Sequence, residues 1–307
     1  MRTVRLPLRP GVAVTQLGFG GAPIGNLYED IPDDQAKSTV DTAWDNGIRY
    51  IDTAPHYGAG LSEARVGAAL AGNQWTISTK VGRLLKWTPG GVVRVFDYSA
   101  DGVRRSLEQS LRRLRIDRLD IVFVHDPDDH WDQARDEAIP ALCALRDQGV
   151  IGAVGAGMNQ SAMLARFVAE TDVDVVMCAG RYTLLDQPAL ADLLPLAVAR
   201  RVAVLAAGVF NSGLLAHAEP KDRAKYDYAP VPPDVLLRAK ELAEVCREHG
   251  TSLPVAAVHF PMRHPAVVGV VLGMSSPAEV RQNTGFLATP PPPTLWADLA
   301  ARGLLAG

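Results

Sequence analysis

A (β/α)8 barrel, of the α/β class, is the fold that this sequence predicts, on three observations. Short runs of β-branched and other apolar residues alternate with longer amphipathic stretches along all 307 residues. The alternation gives eight strand-then-helix units, which suits the typical length of such a barrel. No change in composition, acidic run or Ser/Gly linker marks a boundary, so residues 1–307 are expected to form one domain. An open doubly wound sheet shows the same alternation and is the alternative.

The predicted elements follow one another in order along the chain. The strands are expected at Gln16–Gly20, Ile48–Ile51, Trp75–Thr79, Leu119–Val124, Gly152–Ala156, Val173–Met177, Val202–Ala206 and Val267–Leu272. The helices are expected at Asp34–Asn46, Ser62–Ala71, Ala100–Leu114, Asp132–Gln148, Ser161–Ala169, Pro188–Arg200, Pro233–His249 and Pro277–Phe286, with a last short one near Leu295–Leu304. Ser99 and Ser276 precede two of these helices as capping residues, and glycines follow several helix ends.

Composition and charge limit the class of protein. Apolar residues make up 48% and charged residues 21%, and the formal net charge is -3. Because phosphate contacts normally demand a basic excess, we expect no nucleic-acid partner. No signal peptide and no apolar run of membrane-spanning length is evident, so we expect no membrane partner. Three widely spaced cysteines, Cys143, Cys178 and Cys246, indicate reduced thiols and a cytoplasmic protein.

Two connecting segments are long for simple loops, namely Arg83–Ser99 and Gly208–Pro232. Long loops in a compact domain are usually functional. The first segment carries the aromatic residues Trp87, Phe96 and Tyr98, which are expected either to wall a substrate pocket or to pack against the barrel rim.

Three consecutive predicted strands lead into ionisable residues: Asp52, Lys80 and His125. In a parallel barrel the carboxyl ends of the strands share one face, where such enzymes carry their chemistry. We therefore expect these three side chains to converge at the barrel mouth. Solvated strand ends without a common role would be the simpler explanation for any one of them alone.

Tyr57 follows the second strand in a turn that ends at Gly58. A free tyrosine is a poor base at neutral pH because its pKa is about 10. A neighbouring Lys80 ammonium is expected to favour phenolate and lower the pKa of Tyr57. Asp52 would keep Lys80 charged, and His125 could donate to or accept from the oxygen whose charge changes. Together the four form a plausible acid/base set.

The chain resembles the aldo-keto reductase superfamily in motifs that cover most of its length in the family's order. They are Asp52-Thr-Ala-x-x-Tyr57-Gly58, Thr79-Lys80, Leu119–His125, Gly152–Asn159, Tyr182–Leu185, Ser212–Leu215 and Ser276–Asn283. The resemblance implies a barrel, a nicotinamide cofactor across its mouth and no metal. It also places the family's catalytic tetrad on Asp52, Tyr57, Lys80 and His125.

The resemblance further implies a cofactor site, in which Asn159 would bind the carboxamide and Asn283 the adenine. The remaining implied contacts are Gly21, Phe210, Asn211, Gly213, Leu215, Gly273, Ser275, Glu279 and Gln282. Met158, Ala179 and Ala207 stand where the family usually has serine, glutamine and a stacking aromatic.

The nucleotide preference is predicted from two positions at which phosphate-preferring members carry lysine and arginine. Here they are Gly273 and Glu279. A carboxylate repels a 2′-phosphate and accepts a hydrogen bond from a ribose hydroxyl. We therefore expect NAD to be preferred over NADP.

The substrate is predicted from a resemblance to one branch of the family, carried by Leu17–Asn26 and Gly208–Leu215. Members of that branch oxidise sugar hemiacetals at the anomeric carbon to lactones, or oxidise pyridoxal. Trp87, Phe96 and His125 are the predicted substrate-binding residues. A general aldehyde and ketone reductase is an alternative, and the oligomeric state is open.

Two hypotheses come from other classes of protein. A metal-dependent barrel hydrolase would take its ligands from Asp52, His56, His125 and the acidic run to His130, although zinc sites usually draw on more histidines. A cofactor-binding barrel without activity is the other, since a fold alone does not imply catalysis. The complete acid/base set favours an enzyme.

Overall fold

The computed structural model describes residues 1–27, 29–70, 72–227 and 229–306, with the side chain of Trp87 outside the description. Within these ranges eight parallel strands close into a barrel, because the eighth strand pairs with the first. The barrel prediction is therefore confirmed, and the open doubly wound sheet is wrong. The barrel strands are Leu17–Gly20 (β1), Tyr50–Asp52 (β2), Thr76–Val81 (β3), Leu119–His125 (β4), Ile151–Met158 (β5), Val175–Ala179 (β6), Ala203–Ala207 (β7) and Val267–Gly273 (β8).

One or two helices follow each strand and pack around the barrel. Those that the structure describes with at least seven residues are Asp33–Asp45 (α1), Leu61–Ala69 (α2), Ala100–Leu114 (α3), Ile139–Asp147 (α4), Ser161–Glu170 (α5), Leu193–Arg200 (α6), Pro233–Glu248 (α7), Leu253–His259 (α8), Pro277–Ala288 (α9) and Thr294–Ala301 (α10). Ser99 caps α3 by accepting from the Gly102 N–H, and Ser276 caps α9 by accepting from the Glu279 N–H.

Several predicted elements differ from the structure. The helix expected at Asp132–Gln148 divides into a turn at Trp131–Gln133, a π-helical turn at Ala134–Ala138 and α4. Pro140 lies in the first turn of α4, where its missing N–H breaks the regular ladder. The helix expected from Pro188 begins only at Leu193, where the side chain of Asp192 caps it. Helix α8 had no counterpart among the predicted elements.

Antiparallel hairpins lie outside the barrel sheet. One pairs Thr3–Arg5 with Ala13–Thr15. A second pairs Arg83–Thr88 with Gly91–Phe96, so the segment expected to be an irregular loop is largely a hairpin. In the other long segment, Lys225–Tyr226 pairs with Ala229–Pro230.

The apolar core has two parts, one inside the barrel and one between the strands and the helices. The inner part includes Tyr50, Ile121 and Phe123 from the strands and Leu6, Val12 and Val14 from the first hairpin. That hairpin lies at the amino ends of the strands, because the Ala13 carbonyl accepts from the Thr76 hydroxyl at 2.7 Å. The amino end of the barrel is thus filled with side chains, and its carboxyl end is left for the site.

The three cysteines are unpaired, with Cys178 and Cys246 buried and Cys143 half-buried. No helix in the described ranges combines the length and the apolar character needed to cross a bilayer.

Candidate active site

Lys80 and Asp52 form a buried ion pair at the carboxyl end of the barrel. Asp52 is the last residue of β2, and Lys80 lies near the end of the adjacent strand β3. The Lys80 Nζ donates to Asp52 Oδ2 at 2.6 Å, and both side chains are 3% exposed. Lys80 Nζ also donates to the Thr53 carbonyl at 2.9 Å. Because a buried ammonium is costly unless paired, these acceptors keep Lys80 charged.

A hydroxyl chain inside the barrel orients the Asp52 carboxylate. Ser78 Oγ donates to Asp52 Oδ1 at 2.7 Å, and the Tyr50 phenol lies 2.9 Å from the same Ser78 Oγ. Sequence reasoning missed both residues. Ser78 precedes Lys80 by two positions in β3, so strand alternation places the two on the same face and could have identified it.

Tyr57 lies between Lys80 and His125. Lys80 Nζ is 4.8 Å from the centroid of the Tyr57 ring. The rings of Tyr57 and His125 meet edge to face, with centroids 5.9 Å apart and an interplanar angle of 89°. The turn after Tyr57 is left-handed at Gly58 and Ala59, which returns the chain towards α2. The structure thus brings together the four residues that the sequence singled out.

The electrostatics of the site correct one expectation. Burial raises the pKa of Tyr57, and although Lys80 acts in the opposite direction, the pKa stays above its ordinary value. The sequence-based expectation of a lowered pKa is wrong because it left out the desolvation of the phenol. Burial lowers the pKa of Lys80, but Asp52 and Tyr57 raise it by more than burial lowers it. The pKa of Lys80 therefore lies above its ordinary value, and the side chain stays an ammonium.

His125 is neutral in this environment. Burial lowers its pKa well below the ordinary value, and the charges of Lys80 and Arg83 act in the same direction. The ring of His56 packs edge to face on His125 with centroids 5.9 Å apart, and burial lowers its pKa to about 4. Both imidazoles can therefore donate and accept hydrogen bonds without carrying charge.

A model of the aldo/keto reductase family matches residues 16–301. The chain belongs to this family. It is 42% identical to a D-threo-aldose 1-dehydrogenase from a Pseudomonas species, over 96% of each chain. It is 38% identical to a pyridoxal 4-dehydrogenase from Microbacterium luteolum, over 97% of this chain and 96% of the relative.

The fold comparison agrees with the sequence comparison. An aldo-keto reductase from Bacillus halodurans in its holo form superposes with a TM-score of 0.80, at 26% identity, over 96% of this chain and 93% of the other. Aldo-keto reductases use nicotinamide cofactors, and this member is an oxidoreductase enzyme. The hydrolase hypothesis is therefore wrong, and the idea of a barrel without activity is set aside.

The residues expected to bind the nicotinamide half of the cofactor lie around the barrel mouth. Asn159 directly follows β5 and is half-buried. Gly21 follows β1, and a Cβ there would lie 2.7 Å from Ser62 Oγ and 3.0 Å from the Asp52 carbonyl. The close packing of Gly21 against Ser62 of α2 and the end of β2 therefore favours glycine at this position, whether or not a cofactor lies nearby.

The segment after β7 holds four more of the expected cofactor residues. Phe210 packs on the core, Leu215 is buried, and Gly213 is exposed in a left-handed turn with φ 95°. The Asn211 amide donates to Asp186 Oδ2 at 2.8 Å, while its Oδ1 is buried without a partner in the described part of the chain. A buried acceptor without a partner, such as Asn211 Oδ1, could accept a hydrogen bond from a bound ligand.

The residues expected to bind the adenosine half cluster at the start of α9. Glu279 Oε2 accepts from the Ser275 backbone N–H at 2.6 Å. Asn283 lies one turn further along the same helix face and is buried, while Gln282 is exposed. Gly273 ends β8, where a Cβ would lie 2.8 Å from the Pro23 ring. A larger side chain at position 273 would thus require the turn after β1, which contains Pro23, to move.

The expected substrate-binding residues lie in or beside the second hairpin. Phe96 is 58% exposed, and its ring lies 5.2 Å from that of His130 and 6.4 Å from that of Tyr98. Tyr98, two residues past the hairpin, is buried and donates to the His125 carbonyl at 2.7 Å, so of these two rings it is Phe96 that faces outward. The side chain of Trp87 lies outside the described residues.

Proposed function

We propose that this aldo-keto reductase oxidises the anomeric carbon of a sugar hemiacetal to a lactone, with NAD as the preferred hydride acceptor. The observation that carries the proposal is the buried Lys80–Asp52 pair beside Tyr57 and His125. The 42% identity to an aldose 1-dehydrogenase supports the substrate class. A cytoplasmic location, expected from three isolated cysteines, stays a prediction.

The proposed chemistry divides one oxidation into a hydride and a proton. When bound, the oxidised nicotinamide supplies the acceptor for the hydride that leaves the anomeric carbon. Tyr57, as phenolate, takes the proton of the anomeric hydroxyl, which leaves a lactone carbonyl. Lys80 stabilises the phenolate, Asp52 holds Lys80, and neutral His125 hydrogen-bonds the reacting oxygen.

The burial of Tyr57 has a consequence for the direction of reaction. A phenol with a raised pKa holds its proton at neutral pH and is ready to donate it, which suits reduction of a carbonyl. Oxidation requires the phenolate, so its rate should rise with pH across the alkaline range. The 38% identity to a pyridoxal 4-dehydrogenase supports oxidation of pyridoxal as the second candidate function.

The preference for NAD is proposed from Glu279. Its carboxylate accepts a hydrogen bond from the Ser275 N–H and lies at the beginning of α9, where the helix end would otherwise favour a phosphate. A second negative charge there would be repelled, whereas a ribose hydroxyl could donate to the carboxylate. Ser275, Gln282 and Asn283 are proposed to contribute the other contacts of the adenosine half.

The test is a screen of NAD reduction with L-fucose, L-galactose, D-arabinose and pyridoxal as substrates. The proposal predicts rapid reduction with at least one aldose and formation of the corresponding lactone, with NADP less effective. Reduction with pyridoxal alone would support the second candidate. Absence of reduction with every aldose would overturn the proposal.

A further inference from the structure

Asp126 is a second carboxylate at the mouth of the barrel, directly after His125. Its Oδ2 lies 2.8 Å from an Arg83 guanidinium nitrogen and 3.6 Å from His125 Nε2. The two side chains of the Arg83–Asp126 pair are 21% and 26% exposed, so both are sheltered but reachable from the mouth. Neither residue belongs to the acid/base set.

The backbone holds Asp126 in an unusual and fixed conformation. Its φ is 40°, in the left-handed region. Its N–H donates to the Gly157 carbonyl at 3.0 Å, and its carbonyl accepts from the buried Tyr98 phenol at 2.9 Å. A non-glycine residue in this region costs energy and persists only where its surroundings enforce it. The backbone of Asp126 is thus held by Gly157 of β5 and by Tyr98.

The surroundings of the pair have unused hydrogen-bonding capacity. In the described part of the chain, Arg83 Nε, His56 Nδ1 and His125 Nδ1 are buried without a partner. The exposed ring of Phe96 lies 5.4 Å from the Arg83 guanidinium carbon. Unsatisfied polar atoms beside an exposed aromatic face are what a polyhydroxylated ligand can use, since it offers both hydroxyls and C–H faces.

We propose that the Arg83–Asp126 ion pair recognises the hydroxyl on the carbon next to the reacting one. This rests on the proposed oxidation of an aldose. With His125 on the reacting oxygen, the nearby Asp126 carboxylate accepts from the adjacent hydroxyl and Arg83 donates to it. A carboxylate is an acceptor with about four lone-pair sites, so its pairing with Arg83 leaves sites free for substrate. The pair thereby selects hydroxylated substrates.

The experiment compares an aldose with its 2-deoxy analogue in the wild type and in Asp126→Asn. Asparagine has the same shape and tolerates the left-handed region, so the fold should be kept. Asparagine replaces a charged acceptor with a neutral one, and a charge-assisted hydrogen bond is roughly twice as strong as a neutral one, so kcat/KM for the aldose should fall about tenfold. For the 2-deoxy sugar, which lacks the hydroxyl, kcat/KM should fall much less. Asp129→Asn, at an exposed neighbouring position, is the matched control and should leave kcat/KM unchanged for both sugars.

Arg83→Gln provides a second variant and should shift the same ratio in the same direction. Equal losses for the two sugars in both variants would overturn the inference. A wild type that oxidises no aldose would overturn the proposed function instead. In that case the same variants are assayed in reduction of glyceraldehyde against propanal, where only the hydroxylated aldehyde should be affected. Equal effects on those two aldehydes, or no turnover of either by the wild type, would again overturn the inference.

Discussion

Replacing Lys80 with methionine removes the cation beside Tyr57 and keeps most of the side-chain volume. The ammonium lies 4.8 Å from the Tyr57 ring centroid. At an effective dielectric constant of about 20, its attraction for a phenolate at that distance is about 3 kcal/mol. The phenolate fraction at a fixed pH below the Tyr57 pKa should therefore fall by roughly a hundredfold, because each 1.4 kcal/mol is about a factor of ten.

The assay is the pH dependence of kcat for aldose oxidation. In Lys80→Met the alkaline rise should move to higher pH, so that activity at pH 8 drops by about two orders of magnitude and recovers partly as pH increases. Lys86→Met, at an exposed hairpin position, is the control and should leave the profile unchanged. A uniform loss at every pH, with the rise unmoved, would refute this role for Lys80.

Loss of Lys80 also leaves a buried carboxylate unpaired. Breaking such a pair costs about 3–5 kcal/mol of stability. The double variant Asp52→Asn with Lys80→Met should recover part of that loss in urea unfolding, without recovering activity. If stability and activity recovered together, the Lys80–Asp52 pair would have only a structural role.

Three further predictions follow from the geometry. Glu279→Arg should raise kcat/KM with NADP by tenfold or more, because it removes a negative charge beside the expected phosphate position. An unchanged ratio of kcat/KM with NADP to kcat/KM with NAD would argue against this assignment. Gly82→Ala should lower the free energy of unfolding by about 1–3 kcal/mol or more, because φ is 97° and a Cβ would lie 2.0 Å from the Tyr98 ring. Gly90→Ala, where the added Cβ would meet only the Thr88 hydroxyl at 3.9 Å, should change urea stability little. Because burial keeps His125 neutral, kcat should not fall as the pH is lowered through about 6.5. A fall there that disappears in His125→Gln would contradict the lowered pKa of His125.

The convergence of the acid/base residues could be predicted because it depends on one rule of the fold. Asp52, Lys80 and His125 occupy the carboxyl ends of three adjacent parallel strands, which necessarily meet on one face. The raised pKa of Tyr57 could not be predicted in the same way. It depends on how deeply the phenol is buried, and burial is a property of the whole assembled mouth.

The hairpin and the Arg83–Asp126 pair illustrate two different limits. The hairpin had a local signal in the alternation Val93-Arg94-Val95 and in the turn glycines Gly90 and Gly91, which could have been recognised. The Arg83–Asp126 pair joins the first residue of the hairpin to the residue that follows β4, through an ion pair between side chains. Such tertiary contacts leave no periodic pattern in the chain.

The transfer of deuterium from an aldose labelled at C1 is the decisive measurement for hydride abstraction assisted by Tyr57. We expect the label to appear in the reduced nicotinamide while the sugar becomes a lactone. Tyr57→Phe should slow this transfer about 10²- to 10⁴-fold and leave NAD affinity unchanged. Release of the label to water, or transfer at the wild-type rate in Tyr57→Phe, would contradict direct hydride transfer with Tyr57 as the base.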